Sequence, residues 1–100
     1  MEHYSGGIEP HCISGYLRST GDGRQAVLCN LFVPKEQRGK GLGRALVDEF
    51  TCWARSQNAT EIRLDSTAAA LGFWRSLGFL AQGRDEDGCT ACVCKIAYQQ

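Results

Sequence analysis

The sequence lacks a net charge: eleven Lys and Arg offset eleven Asp and Glu over 100 residues. Its basic residues gather mainly in one loop, which argues against an extended nucleic-acid footprint. It also lacks any apolar run near the ~20 residues of a membrane helix, and its polar first residues hold no signal-peptide core. A cytosolic (cytoplasmic) chain with no membrane partner is expected. Internal repeats, linkers and low-complexity stretches are missing, and 100 residues leave no room for a second domain. Residues 1–100 are therefore expected to form one globular unit around a single core.

Cysteine, by contrast, is plentiful, with six in the chain. Four lie inside or beside apolar runs, and without a secretory signal they are expected as reduced, buried thiols. Cys89-x-x-Cys92-x-Cys94 offers three thiolates, but zinc needs a fourth ligand, and Cys92 and Cys94 alternate onto one strand face. Packing is the better reading, and no metal is expected.

The chain turns on Val33-Pro34-Lys35-Glu36-Gln37-Arg38-Gly39-Lys40-Gly41-Leu42-Gly43-Arg44, where a strand-like run ends and an amphipathic helical run begins. Three alternate glycines allow positive φ and keep Cβ atoms out of the way, so successive N–H groups can face one anion. The helix that follows adds its positive end. Lys35, Arg38, Lys40 and Arg44 set four cations against Glu36, which suits a pyrophosphate. A P-loop would need Lys-Ser or Lys-Thr after its last glycine, whereas Gly43 precedes Arg44 and Ala45. The dinucleotide fingerprint fails as well, because Arg44 stands three places after Gly41. A basic turn that merely caps a helix is the bland alternative. What is left is Arg-x-x-Gly-x-Gly at Arg38, Gly41 and Gly43.

Taken in order, Met1 to Gly7 shows no periodicity and is expected to fray. Ile8 to Ser19 reads as one or two short strands broken by Pro10 and Gly15, and Thr20-Gly21-Asp22-Gly23 as a turn. Gln25 to Val33 is almost continuously apolar, the pattern of a central strand covered on both faces. Leu42, Ala45, Leu46, Glu49, Phe50 and Trp53 recur at helical spacing as a stripe that is buried except at Glu49, and Asn58 is placed to end that helix. Glu61 to Leu64 alternates as a half-buried strand. Strand, loop, helix and strand make a βαβ unit, with the anion loop at the carboxyl end of its first strand. Asp65, Ser66 and Thr67 are N-cap candidates for a second helix with Ala70, Phe73, Trp74 and Leu77 on one face, ended by Gly78. Phe79 to Gln82 and Thr90 to Ile96 flank the polar Gly83-to-Gly88 connection of a hairpin.

The glycine loop with Val33-Pro34 before it resembles the coenzyme A pyrophosphate loop of the GNAT superfamily of N-acetyltransferases. Ala70-Leu71-Gly72-Phe73-Trp74-Arg75-Ser76-Leu77-Gly78-Phe79 resembles the later motif of that superfamily, Ala-x-x-Phe-Tyr-x-x-x-Gly-Phe. The two stand in the family's order, separated by one helix and one strand. The resemblance covers Gln25 to Phe79 and, loosely, the final hairpin. It implies an α/β (α+β) fold: a mixed, mostly antiparallel sheet with a central βαβ unit and two main helices. It also implies acetyl-CoA as co-substrate, and direct attack of a neutral amine on the thioester. Leu31, Phe32 and Val33 would bond the pantetheine arm through their backbone, and Arg38, Gly39, Lys40, Gly41, Leu42, Gly43 and Arg44 would hold the pyrophosphate.

Two departures from the family matter. The Tyr that usually protonates the thiolate is Trp74, whose indole N–H is no useful acid. Asparagine is also absent one turn earlier, with Thr67 near its place. Ser66 could orient a water or stabilise the thiolate, or simply cap the helix. Asn30, Asp65, Glu9 and His11 are candidate bases or water-positioning groups, with an ordinary surface histidine the plainer reading of His11. The second departure is length: only about thirty poorly patterned residues precede the central strand, where the family builds an acceptor wall. The acceptor site is then open to a bulky amine such as a protein terminus or lysine, or a second copy in a homodimer completes it. A coenzyme A-binding module without turnover, acting as a sensor or partner, is the alternative from another class of function. A nucleotide-binding fragment is a third.

Overall fold

The computed structural model describes residues 2–21, 23–84 and 88–96. The Thr20-to-Gly23 turn and the Gly83-to-Gly88 connection each include residues outside that description, namely Asp22 in the first and Asp85, Glu86 and Asp87 in the second.

Six strands form one sheet among the described residues. These are β1 (His3–Gly6), β2 (Cys12–Thr20), β3 (Gly23–Phe32), β4 (Ala59–Ser66), β5 (Leu80–Arg84) and β6 (Thr90–Lys95), in the spatial order β1-β2-β3-β4-β6-β5. Only β3 and β4 run parallel; the other neighbours are antiparallel. The helix α1 (Leu42–Ser56) crosses between the parallel pair and α2 (Leu71–Ser76) follows β4. This is the mixed, mostly antiparallel sheet with a central βαβ unit and two helices that the resemblance implies.

One face of the sheet is covered. Leu46, Val47, Phe50 and Ala54 of α1 pack on Ile13 and Leu17 of β2, Ala26 and Leu28 of β3, and Ile62 and Leu64 of β4, with Trp74, Phe79 and Cys92 closing the far side. The buried stripe of α1 is thus turned from the one read in the sequence: Val47 and Ala54 are inside, whereas Ala45 is exposed and Trp53 only half-buried. Asn58 has φ 66° just past the helix, and its N–H bonds the Arg55 carbonyl. Arg24 at the start of β3 donates to the Gln57 carbonyl at 2.8 Å, satisfying the end of α1 from the sheet.

Four expectations are corrected. The stretch expected to fray includes Met1, outside the described residues, but its His3 to Gly6 form a strand paired with Tyr16 to Ile13, and Tyr4 joins an aromatic group with Phe50 and Trp53 at 5.7 and 5.2 Å between centroids. Gly15 does not break a strand. It lies inside β2, where a Cβ would come within 2.5 Å of the Phe50 ring, so glycine is what lets α1 settle on the sheet. The central strand is not covered on both faces, since Cys29 and Asn30 are exposed. All six cysteines are free, but only Cys92 is fully buried, and Cys29 and Cys52 are exposed. Burial raises the Cys92 and Cys94 thiols above their ordinary pKa, which keeps both protonated at neutral pH.

Candidate coenzyme A site

The site begins with a defect in the central strand. In the β2–β3 ladder Ser14 faces Asn30 but Gly15 faces Leu28, so Cys29 is an extra residue, a β-bulge. The parallel ladder with β4 ends just before it, at Val27 and Arg63. From Leu28 to Phe32 on one side and Leu64 to Ser66 on the other, the two strands keep their outer partners β2 and β6 but no longer pair with each other. Backbone groups that a ladder would have used therefore border a gap.

Beyond Phe32, buried Pro34 and a 3-10 turn at Lys35–Gln37 carry the chain into the glycine loop. Gly39 and Gly41 sit at φ 82° and 83°, where L side chains are strained. Gly43 serves another purpose. It is already helical, and a Cβ there would come to 3.2 Å from the Phe73 ring, so its absence lets α2 approach α1. Of the three glycines expected to bend the loop, two do and the third makes room. Gly41 is the N-cap of α1; no side chain caps the helix, its first turn holds no acid, and the first helical bond runs from Ala45 N–H to Gly41 C=O. The N–H groups of Leu42, Gly43 and Arg44 precede that bond and keep their dipole end open. The guanidinium of Arg38 donates from Nε to the Val33 carbonyl at 2.9 Å, tying the loop to the end of β3.

A cavity of roughly 790 Å³ joins these parts. It is bordered by Asn30, Leu31, Phe32 and Val33, by Arg38, Gly39, Gly41, Leu42, Gly43 and Arg44, and by Ser66 and Trp74. The residues singled out in the sequence for catalysis or cofactor contact therefore lie on one surface, with three exceptions: Lys40, which is exposed and off the lining, and the candidate bases Glu9 and His11. Glu9 and His11 do not border it; they sit in the β1–β2 connection. Asp65 does border it.

Local chemistry at the site differs from expectation. Ser66 is not an N-cap: it is the last residue of β4, 1% exposed, and its hydroxyl donates to the Thr67 carbonyl at 2.8 Å. Nor does Asp65 or Thr67 cap α2, whose N-cap is Ala70 with no side-chain cap; Thr67 instead closes the turn before the helix, accepting the Ala70 N–H at 3.3 Å. Asn30 pairs with Ser14 on the open face, and its amide donates to the Cys12 sulfur at 3.5 Å. Trp74 is a core residue at the cavity wall, edge-on to Phe73 and Phe79 at 4.9 and 5.3 Å. The α2 helix ends as read: Gly78 takes φ 96° while Phe79 N–H reaches back to the Trp74 carbonyl. The reading missed Cys29 and Phe73 on the lining. Cys29 carries no local signal, since a bulge shows only in the pairing register. Phe73 could have been found from Gly43, the small residue it packs on.

Comparison with known proteins adds the following. A profile described as "Acetyltransferase (GNAT) family" matches residues 6–79. Human N-acetyltransferase 8B is 38% identical over 60 residues, which is 57% of this chain and 26% of that protein. The chain thus spans about a quarter of the length of that relative. The crystal structure of PaiA N-acetyltransferase from Thermoplasma acidophilum in complex with coenzyme A is similar at TM-score 0.82 and 17% identity, covering 95% of this chain and 62% of the other. The Tetrahymena GCN5 structure is similar at TM-score 0.77 and 22% identity, covering 96% and 69%. At those identities the two structures speak to the fold alone.

Proposed function

The chain belongs to the acetyltransferase (GNAT) family, and on that premise we propose that it transfers an acetyl group from acetyl-CoA to a primary amine in a ternary complex. The observation that carries this reading is the single cavity joining the open strand ends to the uncapped start of α1. The two ends of that cavity suit the two ends of coenzyme A.

At the loop end, the N–H groups beside Gly39 to Arg44, with Arg38 and Arg44, receive the pyrophosphate. At the strand end, the edge of Leu31 to Val33 that β4 leaves without a ladder bonds the amides of the pantetheine arm. The thioester then lies by the bulge at Cys29. The amine nitrogen attacks the carbonyl carbon, the C–N bond forms, and collapse of the tetrahedral intermediate breaks C–S and releases coenzyme A as thiolate. A β3 N–H freed by the bulge stabilises the oxyanion. Asp65, on the cavity and largely exposed, takes the ammonium proton through water. Ser66 stabilises the thiolate by turning its hydroxyl from the Thr67 carbonyl. Asn30 positions water from the open face, a role its bond to Cys12 restricts.

The same observations give weight to a second reading, a coenzyme A-binding module with little turnover. Trp74 cannot supply the proton that a Tyr would, and the Ser66 proton is already engaged. Thiol release from acetyl-CoA, measured against a panel of amines and peptides, separates the two. Release that depends on an amine supports the transferase. Coenzyme A binding without release by any amine leaves the module.

A further inference from the structure

The bulge opens the sheet on both sides. On the face away from the helices lies a second cavity of roughly 400 Å³, within the range of small-molecule sites. It shares Leu28, Cys29, Leu64 and Asp65 with the first, so the two meet through the gap between β3 and β4. Its remaining lining is Tyr16, Arg18, Val27 and Arg63. Registers set Tyr16, Val27 and Arg63 in one row across β2, β3 and β4, with Arg18 two residues further along β2.

We propose that this second cavity is the acceptor site and that it selects amines bearing a carboxylate, that is, free amino acids and compounds built on them. The inference rests on the acetyl-transfer reading above and names its acceptor class. Arg63 and Arg18 receive the carboxylate, and the amine lies by Asp65 at the gap, facing the thioester.

Charge and geometry support this assignment. Two guanidinium groups face one carboxylate within the lining, so the cavity carries a surplus positive charge suited to an anion. Arg63 and Asp65 approach only to 3.9 Å, with side chains 41% and 59% exposed, which is too long for a direct hydrogen bond and leaves both with free capacity. Arg18 uses Nε on the Gln25 side-chain oxygen at 2.6 Å, which fixes the guanidinium and leaves its terminal amino groups. Glu61, the next acid along this face, accepts from Lys95 at 2.6 Å and from the Gln25 amide and is engaged there. A planar guanidinium matches a carboxylate in two parallel bonds. An acceptor with cationic charge alone, such as a polyamine or a lysine side chain, would meet the two arginines with nothing to offer them. Asp65 is common to both cavities, so a zwitterion bound across Asp65 and Arg63 has its nitrogen at the opening.

The test is calorimetric titration of the protein, with and without saturating coenzyme A, using leucine and phenylalanine, their carboxamides, and cadaverine. The free amino acids are expected to bind about tenfold or more tightly than the carboxamides, the scale of one lost charge-assisted pair. Arg63→Gln should reduce that ratio to about threefold or less and leave coenzyme A affinity unchanged, with Arg18→Gln reducing it in part. The inference is overturned if carboxamides or cadaverine bind as well as the acids, if none binds, or if Arg63→Gln leaves the ratio intact. Coenzyme A titrated alone reports on the acetyl-transfer reading, so a failure there is seen separately from a failure of carboxylate selection.

Discussion

At the scale of single residues, Ser66 concentrates the chemical question. Its hydroxyl is buried and hydrogen-bonded to a neighbouring carbonyl, and it stands at the cavity beside Trp74. Ser66→Ala is expected to cost about 1 kcal/mol of stability, the worth of one buried hydrogen bond. If it also stabilises the thiolate, kcat falls by about tenfold to a hundredfold while coenzyme A affinity holds. A lower Tm with intact turnover would assign the serine to structure alone. The sequence could point to Ser66 but not to its partner. Three consecutive residues, Asp65, Ser66 and Thr67, all cap well, and choosing among them depends on where β4 stops. The strand runs two pairings further than its alternation shows, with Asp65 opposite Ala91 and Ser66 opposite Thr90, which leaves Thr67 to close the turn before α2.

Between elements, β2 and α1 meet through a hole in one side chain. A Cβ on Gly15 would enter the Phe50 ring, so Gly15→Ala should destabilise by about 2 kcal/mol, or roughly 10 °C in Tm for a domain of this size. An unchanged melting curve would mean that α1 packs elsewhere. A composition rule reads that glycine as a break, because nothing local says that an aromatic ring lands on it. Likewise Tyr4 gave no periodic signal, since a four-residue edge strand has too few positions to show one. The long helix and the βαβ unit were legible, because fifteen residues with a periodic apolar stripe leave few other solutions. On the open face, Glu61 is bridged by Lys95 and then by Gln25, which lowers its pKa from the ordinary 4.5. A carboxyl whose pKa falls on folding stabilises above its unfolded value and loses that contribution as pH drops through the folded one. Glu61→Gln should therefore lower Tm at pH 7 by about 3 °C, the scale of an exposed pair. The gap should close as pH falls below the usual carboxylate range. A difference that stays constant down to pH 3 would mean that the bridge contributes nothing.

The whole molecule is organised by one interruption: β3 and β4 pair for half their length and then separate, with a glycine loop at the end of the separation. Loop and helix were readable because Arg38, Gly41 and Gly43 keep a fixed spacing. The second cavity was not, because Tyr16, Arg18 and Arg63 come from two strands far apart in the chain. Acetyl-CoA at about a hundred times its Kd should stabilise the fold by about 2.7 kcal/mol, visible as a rise in Tm of about 10 °C. Gly41 has nothing within 4 Å of a Cβ, so Gly41→Asp should leave the fold largely intact at the cost of its φ of 83°. It would set a carboxylate against the pyrophosphate.

The most direct measurement is calorimetric titration of acetyl-CoA into the wild-type protein and into Gly41→Asp, with circular dichroism to confirm that the variant is folded. Binding by the wild type and none by a folded variant is the expected result. No binding by the wild type, or equal binding by both, would contradict the placement of coenzyme A in this cavity.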